Sequence, residues 1–155
     1  MNSDKDIVIT SAFRTPIGSF QGSLKDHKAT ELGTAVVKKC MEHSNLNGSE
    51  VDTVILGQVL QTGCGQNPAR QAAINSGIDK GKTATTINQV CGSGLAAVTL
   101  GFNSLKLNDT NIVIAGGQES MTNSPHYLNY RMEKNLSEEK LKDSMLIDGL
   151  IDAYD

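Results

Sequence analysis

Short apolar runs rich in β-branched residues alternate along this chain with segments whose apolar residues recur every three or four positions. The first run is Ile7 to Ile9. The second is TVILGQV, Thr53 to Val59; the third is ATTINQV, ending just before Cys91; the fourth is NIVIAGG, Asn111 to Gly117. Between the first two, Leu32, Ala35, Val36 and Cys40 fall at i, i+3, i+4 and i+8, which places them on one helix face and makes Cys40 a core residue. After the second run, Asn67 can cap a helix and Pro68 suits its first turn. The spacing therefore predicts a helix over Pro68 to Ser76 that stops at Gly77. After Cys91, the residues Leu95, Val98, Phe102 and Leu105 form one stripe, so a helix of about four turns begins almost at the cysteine.

Four strands and three helices in βαβαβαβ order predict an α/β fold. Right-handed crossovers give an open, mostly parallel sheet with helices on both faces and functional loops beyond the carboxyl ends of the strands. Downstream of Gly117 the alternation breaks. Gln118 to Met145 holds no strand-like run, and DSMLIDGLIDAYD reads as a short helix. Within the stretch from Gln118 to Met145, the charged run from Glu133 to Lys142 reads as a solvated helix face. An irregular stretch of that length points to a lid, a loop region or the start of another subdomain. The expected organisation is an incomplete α/β domain over residues 1–117 and the beginning of a loop domain over 118–155.

Composition narrows the class without naming it. Hydrophobic residues make up 38% and charged residues 20% of 155, which suits a globular chain rather than a disordered one. The net charge of −3 and the absence of a basic patch interleaved with aromatics exclude a nucleic-acid footprint. No apolar stretch approaches bilayer length and the start lacks the basic, then long apolar, pattern of a secretory signal, so no membrane partner and a cytoplasmic location are expected. The three cysteines are an odd count in dissimilar settings, as reduced thiols would be. No CxxC or HExxH spacing occurs and the three histidines do not pair with a cysteine, so no metal is expected. A near match to a phosphate loop, ending in Gly81-Lys82-Thr83, has Ser76 where the first glycine should stand.

The sharpest chemical feature is Asn88-Gln89-Val90-Cys91-Gly92-Ser93-Gly94. A strand turns here directly into a helix, with a thiol at the turn and glycines that permit a tight path. That is the mechanical logic of a nucleophile elbow. Unpaired backbone N–H groups and the positive end of the helix dipole favour the thiolate and could hold an oxyanion. Spacing alone leaves open the alternative that Cys91 is a small buried hydrophobe. Elsewhere, Gly116, Gly117, Glu119 and Ser120 read as a turn after a strand, Cys64 as an incidental loop thiol, His126 as a loop histidine, and Pro68 to Arg70 as a helix start.

The segment NQVCGSGL is similar to the thiolase nucleophile motif. Further blocks resemble thiolase segments in the family's order: SAFRTPIGSFQGSL (Ser11 to Leu24), VILGQVLQTGCGQNPARQAA (Val54 to Ala73), IAGGQESMTNSPH (Ile114 to His126) and DSMLIDGLIDAYD. The resemblance runs from Ile7 to the last residue and matches the family's amino-terminal portion. It implies a thiolase-like fold, Cys91 as the residue acylated by acetyl-CoA or another acyl-CoA, and coenzyme A thioesters as substrates, with no cofactor. It further implies that Leu150 lines the pantetheine path, that Gly116, Gly117, Glu119 and Ser120 lie near the catalytic floor and a dimer contact, and that the region after them forms a tetramer loop. The whole protein would be a homodimer or homotetramer. The family's GHP-like, NEAF-like and CxGGG-like motifs do not occur in these residues, so no appreciable turnover is expected of them alone. Three readings follow: part of an acetyl-CoA acetyltransferase, a truncated non-catalytic dimerisation module, and a related condensing enzyme or degradative 3-ketoacyl-CoA thiolase.

Overall fold

The computed structural model describes residues 6–132, 137 and 140–154. Its elements run α1 (Ala29–His43), β1 (Thr53–Gly57), α2 (Pro68–Asn75), β2 (Thr83–Ile87), α3 (Ser93–Lys106) and β3 (Val113–Gly117). The three strands form one parallel sheet in the order β2-β1-β3, with Thr53 opposite both Thr83 and Val113. Every residue of β1 is buried, which explains why this central strand reads as an unbroken apolar run instead of an alternating one. Val54 and Leu56 join Val37 and Met41 of α1 and Ala69, Ala72 and Ala73 of α2 in the main core. On the opposite face lies α3, whose Gly101 sits so close to Val113 that an added Cβ would be 3.0 Å from its Cγ1. Helices thus cover both faces.

Helix α2 follows the expected signals closely. Asn67 accepts the Arg70 N–H with Oδ1, Pro68 opens the first turn, and Gly77 leaves the helix at φ 97°. Asn67 also receives the Thr86 hydroxyl at 2.7 Å and donates Nδ2 to Ala84 O at 3.0 Å, so the cap is tied to β2 as well. Arg70, beyond starting the helix, donates its guanidinium to the carbonyls of Lys80 and Lys82 and fixes the turn that enters β2.

Three expectations need correction. Ile7 to Ile9 forms no strand and joins no ladder among the described residues, and Ile9 is 81% exposed. The segment is held instead by Thr10 Oγ1 to Ser44 Oγ (3.1 Å) and by an edge contact of Phe13 on His43, across a groove from β3. On α1 the period is right but the deepest face is Thr30, Gly33, Val37 and Met41; Leu32, Val36 and Cys40 are half-buried and Ala35 is exposed. Cys40 lines the groove rather than the core. On α3 the stripe is not the buried face: Leu95 is 75% exposed and Val98, Phe102 and Leu105 line the groove beside β3, while Ser93, Ala97 and Gly101 are buried. Small residues at i, i+4 and i+8 let the helix backbone approach the strands, a choice that apolar periodicity does not reveal.

Past β3 the chain makes a 3₁₀ turn at Met121–Asn123. His126–Tyr127 (β4) then pairs antiparallel with Lys142–Asp143 (β5), two short strands where none were expected. Ser144, fully buried, donates its hydroxyl to Pro125 O at 2.6 Å and secures this pairing. Leu146–Leu150 forms one wide π-type turn in place of the expected short α-helix. Most of the charged run from Glu133 to Lys142 lies outside the described residues.

Candidate active site

The carboxyl ends of the strands, the start of α3 and the π-type turn converge on a cavity of about 530 Å³. Cys91 lines it. So do Leu150, Glu119, Gln58 and Gln118, and Arg14 brings the one positive charge among the lining residues. Cys91 is the exposed member of the three free cysteines; Cys40 and Cys64 are both half-buried. The structure therefore brings Cys91 and Leu150 to one cavity, with Leu150 itself largely exposed.

The turn that carries the thiol is a strained one. Val90 has φ 49°, in the left-handed region that a β-branched side chain avoids at a cost of about 1–3 kcal/mol. Ser93 clamps it from the helix side: its Oγ accepts the Gln89 N–H at 2.8 Å and donates to Val90 O at 2.6 Å. The N–H groups of Gly92 and Ser93 go to the carbonyls of Gln89 and Val90. Two of the helix-start donors expected to face the thiol are thus engaged within the turn. Helix α3 itself begins at Ser93 with Gly92 as its N-cap, so Cys91 stands two residues ahead of the first helical residue.

The floor is built from side chains that sequence reading passed over. Gln58 and Gln118, both buried, follow Gly57 and Gly117, which lie opposite each other in the sheet. Gln118 Nε2 donates to Gln58 Oε1 at 2.9 Å, and Gln58 Nε2 donates to Leu60 O at 2.8 Å and reaches Cys64 Sγ at 3.3 Å. Cys64, between Gly63 and Gly65 with φ of 72° and 79°, is thereby part of a packed loop and not an incidental exposed thiol. Gln118 Oε1 has no hydrogen-bond partner among the described residues and rests against Gly33, where a Cβ would come within 1.8 Å of it. The repeated Gly-Gln at two strand exits was the available signal.

Glu119 does more than turn the chain. Its carboxylate accepts the N–H groups of Val59 (2.8 Å) and Leu60 (3.3 Å), joining the exits of β3 and β1. Burial pushes its carboxyl above the ordinary range, against the lowering effect of those N–H bonds. Ser120 Oγ donates to His27 O at 3.0 Å, and His126 is exposed, with Nε2 3.8 Å from Asp143. Among the described residues no group of three or more His, Cys, Asp or Glu side chains could hold a metal ion, and no helix is long and apolar enough to cross a membrane.

An α/β domain whose parallel strands deliver a cysteine to the mouth of a largely apolar cavity is the class that fold and site define. Comparison with known proteins gives the family. The sequence model of the thiolase N-terminal domain matches residues 7–155, and this chain belongs to the thiolase family. An acetyl-CoA acetyltransferase of Pseudomonas aeruginosa is 49% identical over 151 residues, covering 97% of this chain and 38% of the relative. A probable acetyl-CoA acetyltransferase of Escherichia coli is 50% identical over 151 residues, with coverages of 97% and 38%. An acetyl-CoA acetyltransferase of Rhizobium meliloti is 47% identical over 152 residues, with coverages of 98% and 39%. The chain thus spans less than two fifths of the length of these relatives.

Proposed function

We propose that this chain is the nucleophile-bearing part of an acetyl-CoA acetyltransferase. Cys91 attacks the thioester carbonyl of acetyl-CoA, the bond to the coenzyme A sulfur breaks, and coenzyme A leaves as the acetyl group stays on Cys91. A second acetyl-CoA, having lost an α-proton to a base, attacks that acetyl carbon, forming acetoacetyl-CoA and freeing the Cys91 thiolate. Thiolysis of a 3-ketoacyl-CoA is the same sequence reversed. Leu150 would flank the pantetheine arm. Residues 118–155 begin the loop domain that would cover the substrate, the assembled enzyme would be a cytoplasmic homodimer or homotetramer, and the site would need no cofactor.

The observation that carries this reading is the exposed thiol of Cys91 at a strained strand-to-helix turn over the 530 Å³ cavity. The acid–base groups that the resemblance requires in GHP-like, NEAF-like and CxGGG-like motifs are not among these 155 residues, so turnover by them alone is not expected. The test is mass spectrometry after incubation with acetyl-CoA. An acetyl adduct on Cys91, absent from Cys91→Ser, supports the proposal; an adduct confined to Cys40 or Cys64 removes it.

A further inference from the structure

We propose that Asn88, anchored through Val59 to Glu119, is a positioning residue that holds Val90 in its left-handed conformation and thereby aims Cys91 into the cavity. The inference rests on the acyl-transfer reading above for its functional consequence and on geometry alone for the clamp. Val90 would relax toward negative φ if nothing held it, and such a change rotates the following peptide and with it the Cys91 side chain. Ser93 bridges the turn, taking the Gln89 N–H and giving its hydroxyl to Val90 O, but leaves the Val90 N–H to another partner. From the strand side the restraint is Asn88, whose Oδ1 accepts the Val90 N–H at 2.8 Å.

Asn88 is itself exposed, so packing does not fix its amide. Its Nδ2 donates, at a long 3.4 Å, to Val59 O in the chain leaving β1. The same Val59 donates its N–H to Glu119 Oε2 at 2.8 Å, and Leu60 adds a second N–H to the other carboxylate oxygen. A continuous hydrogen-bonded path therefore runs from the exit of β3, through the exit of β1, to the residue before the thiol. All three strand ends meet at that turn. Glu119 fixes Val59, Val59 orients the Asn88 amide, and the oriented amide presents Oδ1 to Val90.

The test uses the intact protein in three variants: Asn88→Ala, Glu119→Gln and the double variant Asn88→Ala/Val90→Gly. Glycine adopts the left-handed region without strain, so the double variant no longer needs the clamp. Asn88→Ala is expected to speed hydrogen exchange at the Val90 amide while leaving the amides of α1 and α2 unchanged. It is also expected to slow acetylation of Cys91 by acetyl-CoA about tenfold to hundredfold, the range that a misplacement of about 1 Å produces. Glu119→Gln, which keeps one acceptor oxygen, gives a smaller loss of the same kind. The double variant recovers most of the acetylation rate. The clamp is overturned if Asn88→Ala leaves Val90 exchange unchanged, or if the double variant acetylates no faster than Asn88→Ala alone. If the parent protein is not acetylated at Cys91 yet Val90 exchange responds as stated, the acyl-transfer reading fails and the clamp stands.

Discussion

Gly57 is the position where one methyl group tests the architecture of the site most directly. It ends β1 beneath the start of α3, and a Cβ built there lies 2.5 Å from both the carbonyl carbon and the Cβ of Ser93, and 2.8 Å from the Gly94 nitrogen. Ordinary contact begins near 3.4 Å, so Gly57→Ala forces strand and helix apart by about 1 Å. The obstructing atoms are mostly backbone, which cannot swing aside as a long side chain would. Overpacking typically costs about 1–3 kcal/mol, and this case belongs at the upper end. For a chain of this size each kcal/mol lowers Tm by about 2–4 °C, so a drop of about 6–12 °C is expected. Because Ser93 clamps the Val90 turn, the same displacement should also change the rate at which iodoacetamide alkylates Cys91. Gly81→Ala is the control: nothing lies within 4 Å of its Cβ, and stability should be unchanged or slightly raised. A Gly57→Ala protein that melts with the parent and alkylates at the parent's rate would refute the close approach of β1 and α3.

Three further outcomes are expected. Arg70→Lys loses the planar fork that holds the carbonyls of Lys80 and Lys82, and should lower the urea midpoint by the equivalent of about 1.5–3 kcal/mol without changing the slope. Asp52 is held below the ordinary carboxylate range by the N–H groups of Asn111 and Ile112, with Lys82 adding to them. Its contribution is therefore present above the unfolded value of about 4 and is lost as the pH falls through the folded value; Asp52→Asn should flatten stability measured between about pH 5 and pH 3. Glu119 has the opposite sign, since burial raises its carboxyl. Its protonated form favours the folded state, so stability falls as pH rises from the unfolded value through the folded one. Glu119→Gln should remove that fall in a pH series of chemical denaturation.

The order and approximate placement of the three parallel strands were legible because β-branched runs and turn residues are local signals. Asn67, Pro68 and Gly77 bounded α2 to within a residue of its observed end. Helix faces were harder. Both α1 and α3 carry apolar residues on more than one side, and close packing selected Gly33, Ala97 and Gly101 over the larger Leu32, Val98 and Phe102. That the thiol lies between β2 and α3 followed from sequence, although β2 ends at Ile87, three residues before the end of the run ATTINQV; the support of the thiol did not follow. Glu119, Asn88 and the Gln58–Gln118 pair act across 29 to 60 residues of chain, and contacts of that separation have no periodic signature. The Ile7 to Ile9 run has the composition of a strand, yet a ladder also needs a neighbour at bonding distance, and among the described residues β3 forms its ladder with β1 alone.

The flank of β3 that no described residue pairs with has a practical side. An unpaired strand margin next to an apolar trough is a template for a second polypeptide, and nothing charged along Val113 to Gly117 repels one. Preparations of these residues should therefore clump through this flank as concentration rises, and Gly116→Lys, whose Cβ would meet nothing within 4 Å, should delay the clumping.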